Sequence, residues 1–272
     1  MVSISQHSNS FFVHCKLCIF LPGAYFFMIN NDKECNQNLT NETILEKISV
    51  SLSRLDSFIN KENDYERIID AVRQQCEKLG SMVDVIDQRL LLQNEIGNLL
   101  FLSFSLCTLH NYDLETTIQL NLYKFNSRCD LMIALAKADG YVNFDDQPMA
   151  VMNTYWNKAK LQLRQDVLTS LDTSLSESLD EKSKDVLARV VDSEMRARHF
   201  GFRWTDYQQL IDKVHAECDE ITEVAYDVDK RKELQDELGD LMLVAFSFCM
   251  HFNFDLNETL EKVMKNRQLR SF

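Results

Sequence analysis

The feature that most constrains this chain is that it repeats itself. The stretch ELGDLMLVAFSFCM, 237–250, echoes EIGNLLFLSFSLCT, 95–108. Aligned without a gap at an offset of 142, residues 64–128 match 206–270 at 21 of 65 positions. Shared pairs include Asp64/Asp206, Tyr65/Tyr207, Cys76/Cys218, Glu95/Glu237, Gly97/Gly239, Asn111/Asn253 and Arg128/Arg270. Two units are too few to build a solenoid, so the expectation is an internal duplication giving two related domains. With 6 Gly and 2 Pro in 272 residues, the chain lacks the turn residues of a sandwich or barrel, and helices are favoured.

Each repeat reads as three helices, in the second near 206–226, 230–251 and 255–270. NYDLETT and NFDLNET mark the last turn, with Asp113 and Asp255 as N-caps. A further helix follows Asn41. Between the repeats, Asp139 to Pro148 reads as a loop, 149–166 as a helix, TSLDTSLSESLDEKS as a polar linker and 184–200 as a helix entering GFRW. The expected organisation is an extension over 1–40, a degenerate domain over 41–135, a connector over 136–183 and a catalytic domain over 184–272. The second repeat is expected to act alone.

A formal charge of −13 disfavours nucleic acid and anionic membrane as partners, and a polyanionic substrate would need metal ions or a local basic cluster. The eight cysteines read mainly as reduced, buried thiols, and the lone Cys15-x-x-Cys18 lacks the further ligands of a zinc site. Phe11 to Ile29 approaches the length of a membrane span but contains His14, Lys16 and Pro22-Gly23. It reads better as a loosely attached extension, or as text upstream of a start at Met28. The expected setting is cytoplasmic, with no membrane.

The chemistry gathers in the second repeat. Glu217 and Glu220 are three residues apart, as are Glu237 and Asp240, and on a helix each pair shares a face. Such pairs are ordinarily a solvated face. Glu237 and Asp240, however, fall on the stripe of Leu241, Val244 and Phe248, so they are expected to point inward, where an unpaired carboxylate is costly. Four inward carboxylates are reasonable if a hard divalent cation, Mg²⁺ or Mn²⁺, holds them. The first repeat has Gln75, Lys78, Glu95 and Asn98 at these places. Its hydrophobic pattern survives without the ligands, which implies a site kept once.

With AECDE followed by ELGD, and HFGFRWTDYQQLIDKVHAE leading in, the second repeat resembles the MazG family of nucleoside triphosphate pyrophosphohydrolases, whose signature is EExxE and then ExxD. The resemblance runs from about residue 42 to the end. It implies an all-α, four-helix-bundle type of fold, usually homodimeric, and Mg²⁺-dependent hydrolysis of an NTP or dNTP to the monophosphate and pyrophosphate. By the same resemblance Glu217, Glu220, Glu237 and Asp240 are catalytic metal ligands, and Lys213 and Arg270 contact phosphate.

The chain also departs from the family. Ala216 stands for the leading Glu of EExxE, Glu233 for a lysine with Lys232 beside it, and Asn266 for a lysine of the last helix. Lys262, Lys265 and Arg267 are candidates to compensate for Asn266. The chain ends at Phe272, where longer relatives continue into a tail, so reduced or altered activity is an expectation too. Trp204, with Phe202 and Tyr207, is the candidate for stacking on a base. The alternatives are a non-catalytic dimeric scaffold, or a phosphohydrolase restricted to dUTP, dCTP or a phosphoribosyl nucleotide.

Overall fold

The computed structural model describes residues 43–56, 61–83, 86–169 and 185–270. The 1–40 extension, with Cys15 and Cys18, and nearly all of the polar linker lie outside the described residues. The fold is all-α, as expected. In order the helices are α1 (Ile44–Asp56), α2 (Lys61–Met82), α3 (Arg89–Leu109), α4 (Leu114–Ala138), α5 (Met149–Thr169), α6 (Val186–His199), α7 (Tyr207–Val224), α8 (Arg231–His251) and α9 (Leu256–Arg270). No strand occurs among the described residues.

The offset of 142 carries over to helix boundaries. It relates the starts of α1 and α6, both ends of α3 and α8, and the starts of α4 and α9. The last turn of each repeat is built identically. Asp113 accepts from the Thr116 amide at 2.8 Å, and Asp255 from the Glu258 amide at 2.7 Å, so each carboxylate satisfies an otherwise unpaired donor of the first helical turn. Just before each cap the chain turns through a left-handed residue, Asn111 at φ 59° and Asn253 at φ 53°. Asparagine tolerates that region better than other residues with a Cβ.

The repeats interlock. α2 packs on α3 and α7 on α8, but each last helix crosses over, α4 lying on α8 and α9 on α3. The crossing contacts come in reciprocal pairs. Arg89 donates to the Phe252 carbonyl at 2.9 Å, and Arg231 to the His110 carbonyl at 2.8 Å. The amide of Gln93 reaches the Thr259 hydroxyl at 3.2 Å, and that of Gln235 reaches the Thr117 hydroxyl at 3.0 Å. Between α3 and α8 the rings of Phe104 and Phe246 lie 5.9 Å apart, both fully buried. Burying a side chain of that size stabilises by about 1.5–3 kcal/mol.

One apolar core therefore takes Leu45, Leu79, Leu100 and Leu106 from the first repeat and Leu187, Leu210, Leu241 and Phe248 from the second. Glycine allows the crossings to be close. A Cβ on Gly239 would sit 1.6 Å from Asn121 Nδ2 of α4, and one on Gly97 would sit 3.1 Å from Val263 Cβ of α9. Among the described residues only α3 is long and apolar enough to cross a bilayer, and it is a core helix with Leu99, Leu100 and Phe104 fully buried. Cys76, Cys107, Cys129, Cys218 and Cys249 are free and buried, with thiols pushed up to about 12 by that burial.

A smaller cluster joins α4, α5 and the turn after α6 through Met132, Met152, Tyr155, Phe144 and Phe200. The Phe144 amide donates to the Phe200 carbonyl at 2.9 Å, which ties the 139–148 loop to the approach to α7.

Candidate metal centre

Helix α7 buries Leu210, Val214, Cys218 and Ile221, a three-and-four spacing that gives one inward face. Glu217 lies on that face and is only 1% exposed. On α8, Glu237 and Asp240 are half-buried beside fully buried Leu241 and Phe248. Since α7 packs along α8, the three acids converge, and a carboxylate oxygen from each lies within 4.8 Å of the others. Glu220 is different. It is exposed, at the rim of the cluster, where its carboxyl hydrogen-bonds with that of Glu237. The expectation of four inward carboxylates is thus corrected to three, because Glu220 lies just off the face that α7 turns to α8.

The electrostatics are strained in a particular way. Oε1 of Glu217 is in ion-pair contact with Lys213 Nζ, one turn earlier. Its Oε2 is buried and has no hydrogen-bond partner among the described residues. Burial pushes the Glu217 carboxyl up, and Lys213 offsets this only in part because Asp240 and Glu220 add like charge. The Glu237 carboxyl is pushed up to about 8, by burial first, then by its hydrogen bond with Glu220 and the charges of Asp240 and Glu217. Burial pulls the Lys213 ammonium down, but Glu217 more than reverses this and the net movement is upward. Asp240 is met at 3.0 Å by Lys124 Nζ, from α4 of the other repeat.

A cation fits this arrangement. Carboxylates crowded within a few ångströms are tolerated where a positive charge is shared among them, and a buried carboxylate oxygen without a donor is an available ligand. Donor atoms that are all carboxylate oxygen suit Mg²⁺ or Mn²⁺ rather than a soft metal. Glu217, Glu237 and Asp240 would hold the ion, with Glu220 within reach at the rim.

The equivalent place in the first repeat shows what a satisfied version looks like. Glu95 accepts from Gln75 Nε2 at 2.8 Å and Asn98 Nδ2 at 3.0 Å, and Lys78 Nζ lies 2.7 Å from its other oxygen. Burial alone would push the Glu95 carboxyl up, but Lys78, Gln75 and Asn98 outweigh it and hold it below its ordinary value. Both oxygens are occupied, and Lys78 stands where a metal would compete.

Residues 205–271 match the MazG nucleotide pyrophosphohydrolase domain. Over that stretch the chain is similar to a MazG domain. All three converging carboxylates lie within it. Two nucleoside triphosphate pyrophosphohydrolases, from Escherichia coli strain K12 and Escherichia coli O157:H7, are each 28% identical over 90 residues, 33% of this chain and 34% of the relative. The chain thus aligns with about a third of the length of these curated relatives. No solved structure matches.

The remaining candidates of the MazG domain scatter. Lys213 is at the centre. Lys262 instead donates to Gln93 Oε1 at 3.0 Å, and the Arg267 guanidinium lies 3.7 Å from the Phe101 ring centroid, both against α3. The side chain of Arg270 lies outside the described part. Trp204 and Tyr207 are partly buried against the main core, and Phe202 stacks on Trp156 at 5.0 Å, so these rings already have packing partners. Sequence reasoning missed Lys124. Its signal is the offset itself, since 124 plus 142 is 266, the position at which Asn266 departs from the family.

Proposed function

We propose that this chain is a Mg²⁺-dependent nucleoside triphosphate pyrophosphohydrolase, acting on NTP or dNTP in the upkeep of the nucleotide pool. The observation that carries this reading is the buried, partnerless Oε2 of Glu217 beside Glu237 and Asp240, set against the fully paired Glu95 of the first repeat. Supporting it are the MazG domain over 205–271 and the partial likeness to two proteins named nucleoside triphosphate pyrophosphohydrolase.

In the proposed reaction a water oxygen bonds to the α-phosphorus, the bond from that phosphorus to the α,β-bridging oxygen breaks, and pyrophosphate leaves. Bound Mg²⁺ supplies acidification of water and neutralisation of charge on phosphate oxygens. The chain's own residues position and exclude. Glu217 offers a dehydrated ligand held in place by Lys213, while Glu237 and Asp240 present theirs from one turn of α8. Glu237 would serve as a ligand in its carboxylate form, a held cation offsetting the burial and like charge that raise its carboxyl. Attack and departure then depend mostly on alignment and electrostatics, as in other phosphoryl chemistry.

The duplication and the homodimer expected from the sequence belong to this reading. The reciprocal crossing of α4 and α9 gives one chain a two-fold-like pairing of its own repeats, and the homodimer would form between two such chains. A cytoplasmic setting is in keeping with the buried free thiols. The scaffold alternative draws on the same paired Glu95. A panel of all NTPs and dNTPs with and without Mg²⁺, read by pyrophosphate release, tests the proposal. Metal-dependent release that disappears in Glu237→Gln supports it, and no release from any nucleotide leaves the scaffold reading.

A further inference from the structure

Glu217 of the acidic centre has Lys213 of its own repeat, but Asp240 is met by a cation that its own repeat does not provide. In the first repeat the counter-charge of Glu95 is local, from Lys78. The second repeat has Glu220 at that position, and the cation facing Asp240 arrives from outside, as Lys124 of α4. Both side chains of this pair are roughly a quarter exposed, 22% for Lys124 and 24% for Asp240, so the ammonium is neither locked inside nor lost in bulk water. It reaches the cluster because α4 crosses onto α8, and Gly239 makes that crossing close by leaving room for Asn121, one turn before Lys124.

The opposite side shows the complementary loss. At the position equivalent to Lys124, Asn266 on α9 donates to Asn94 Oδ1 of α3 at 3.2 Å, on the helix that carries Glu95 and Asn98. Charge has therefore been retained or lost by side, not by repeat. One side keeps Glu217, Glu237, Asp240 and Lys124, drawn from both repeats. The other keeps the ion pair of Glu95 with Lys78 but has the amides of Gln75, Asn98 and Asn266 at the places of Glu217, Asp240 and Lys124. Residues of different repeats that keep or lose charge together share a task.

We propose that Lys124 is the phosphate-binding cation of the acidic centre, so that a single working site is assembled from both repeats, carboxylates from α7 and α8 and ammonium from α4. This rests on the pyrophosphohydrolase reading. With its charge shared by a divalent ion, Asp240 would no longer need Lys124, whose flexible four-carbon stem would let the ammonium turn to an anion beside it. On a chain of net charge −13, such a local cation is what a triphosphate requires.

The test uses the full chain, with inorganic pyrophosphate binding in the presence of Mg²⁺ measured by calorimetry alongside KM and kcat. For Lys124→Gln, pyrophosphate affinity falls about tenfold or more and KM rises with it, as expected for a lost charge-assisted hydrogen bond. Mg²⁺ affinity does not fall with it, because a competitor for Asp240 has gone; loss of a merely structural ion pair would lower both affinities together. Lys124→Arg recovers most of the phosphate affinity. Asn266→Lys added to Lys124→Asn recovers none, since that lysine enters beside α3. Turnover by the wild-type chain with pyrophosphate affinity and KM unchanged in Lys124→Gln overturns this inference alone, as does rescue by Asn266→Lys. A wild-type chain that turns over no nucleotide overturns the function reading and this inference together.

Discussion

Lys78 Nζ sits 2.7 Å from Glu95 Oε1, whereas the position equivalent to Lys78 in the second repeat is Glu220, whose carboxyl pairs with that of Glu237. One backbone arrangement thus holds a neutralised carboxylate on one side and a group of carboxylates short of positive charge on the other. Only the second has something to gain from a divalent ion.

Glu217→Gln is expected to weaken Mg²⁺ binding by roughly 100-fold or more, as loss of a metal ligand outweighs the 10–100-fold typical of outer-sphere changes. The metal-free variant is expected to melt no lower than the parent, because a buried carboxylate oxygen without a donor is replaced by a neutral amide. Half-exposed Lys213 can turn to solvent. Calorimetry and thermal melts in EDTA measure the two effects.

The metal-free protein is expected to lose stability as pH rises through about 8. The sign follows from Glu237. Its folded-state carboxyl is raised well above the ordinary 4.5, so its contribution is fully present below that value and fades as pH climbs through the folded value. Mg²⁺ should therefore raise the melting temperature more at pH 8 than at pH 5.5, and in Glu237→Gln that pH dependence should flatten.

Gly239→Ala is expected to destabilise by about 1–3 kcal/mol, the usual range for overpacking, despite alanine's helix preference. The new methyl would meet Asn121 at 1.6 Å. Gly97→Ala faces Val263 at 3.1 Å and should cost less. Asn121→Ala combined with Gly239→Ala should regain most of the loss in urea unfolding.

Residues 180–272 alone are expected not to fold as a compact unit, contrary to what the sequence led us to expect of an autonomous second repeat. Cutting there strips α4 from α8 and α3 from α9 and exposes the faces around Phe246 and Leu260. Circular dichroism and analytical ultracentrifugation of the fragment, then of the fragment mixed with residues 41–169, check this. Recovery on mixing is the expected result.

Glu restored at positions 75 and 78, with Asp at 98, is expected to create a second Mg²⁺ site without a second round of turnover. That side presents Asn266 in place of a lysine. Two calorimetric binding events with a single-site rate would be the signature.

The sequence by itself determined the helical class, the offset of 142, both Asp caps and the conversion of ligands to Gln75, Lys78 and Asn98. These are matters of local periodicity and residue type, legible along one dimension. It also singled out Glu237 and Asp240, because acids on an apolar stripe contradict their surroundings, and Glu217 with Glu220 by their spacing on one helix face. Only the tertiary structure decided that Glu220 stays at the rim, that Lys262 and Arg267 turn to α3, and that the cation at Asp240 is Lys124. Those depend on which helix crosses which, and a crossing is set by close contacts such as Gly239 with Asn121, between residues more than a hundred positions apart. Spacing along one helix carries no trace of such a neighbour.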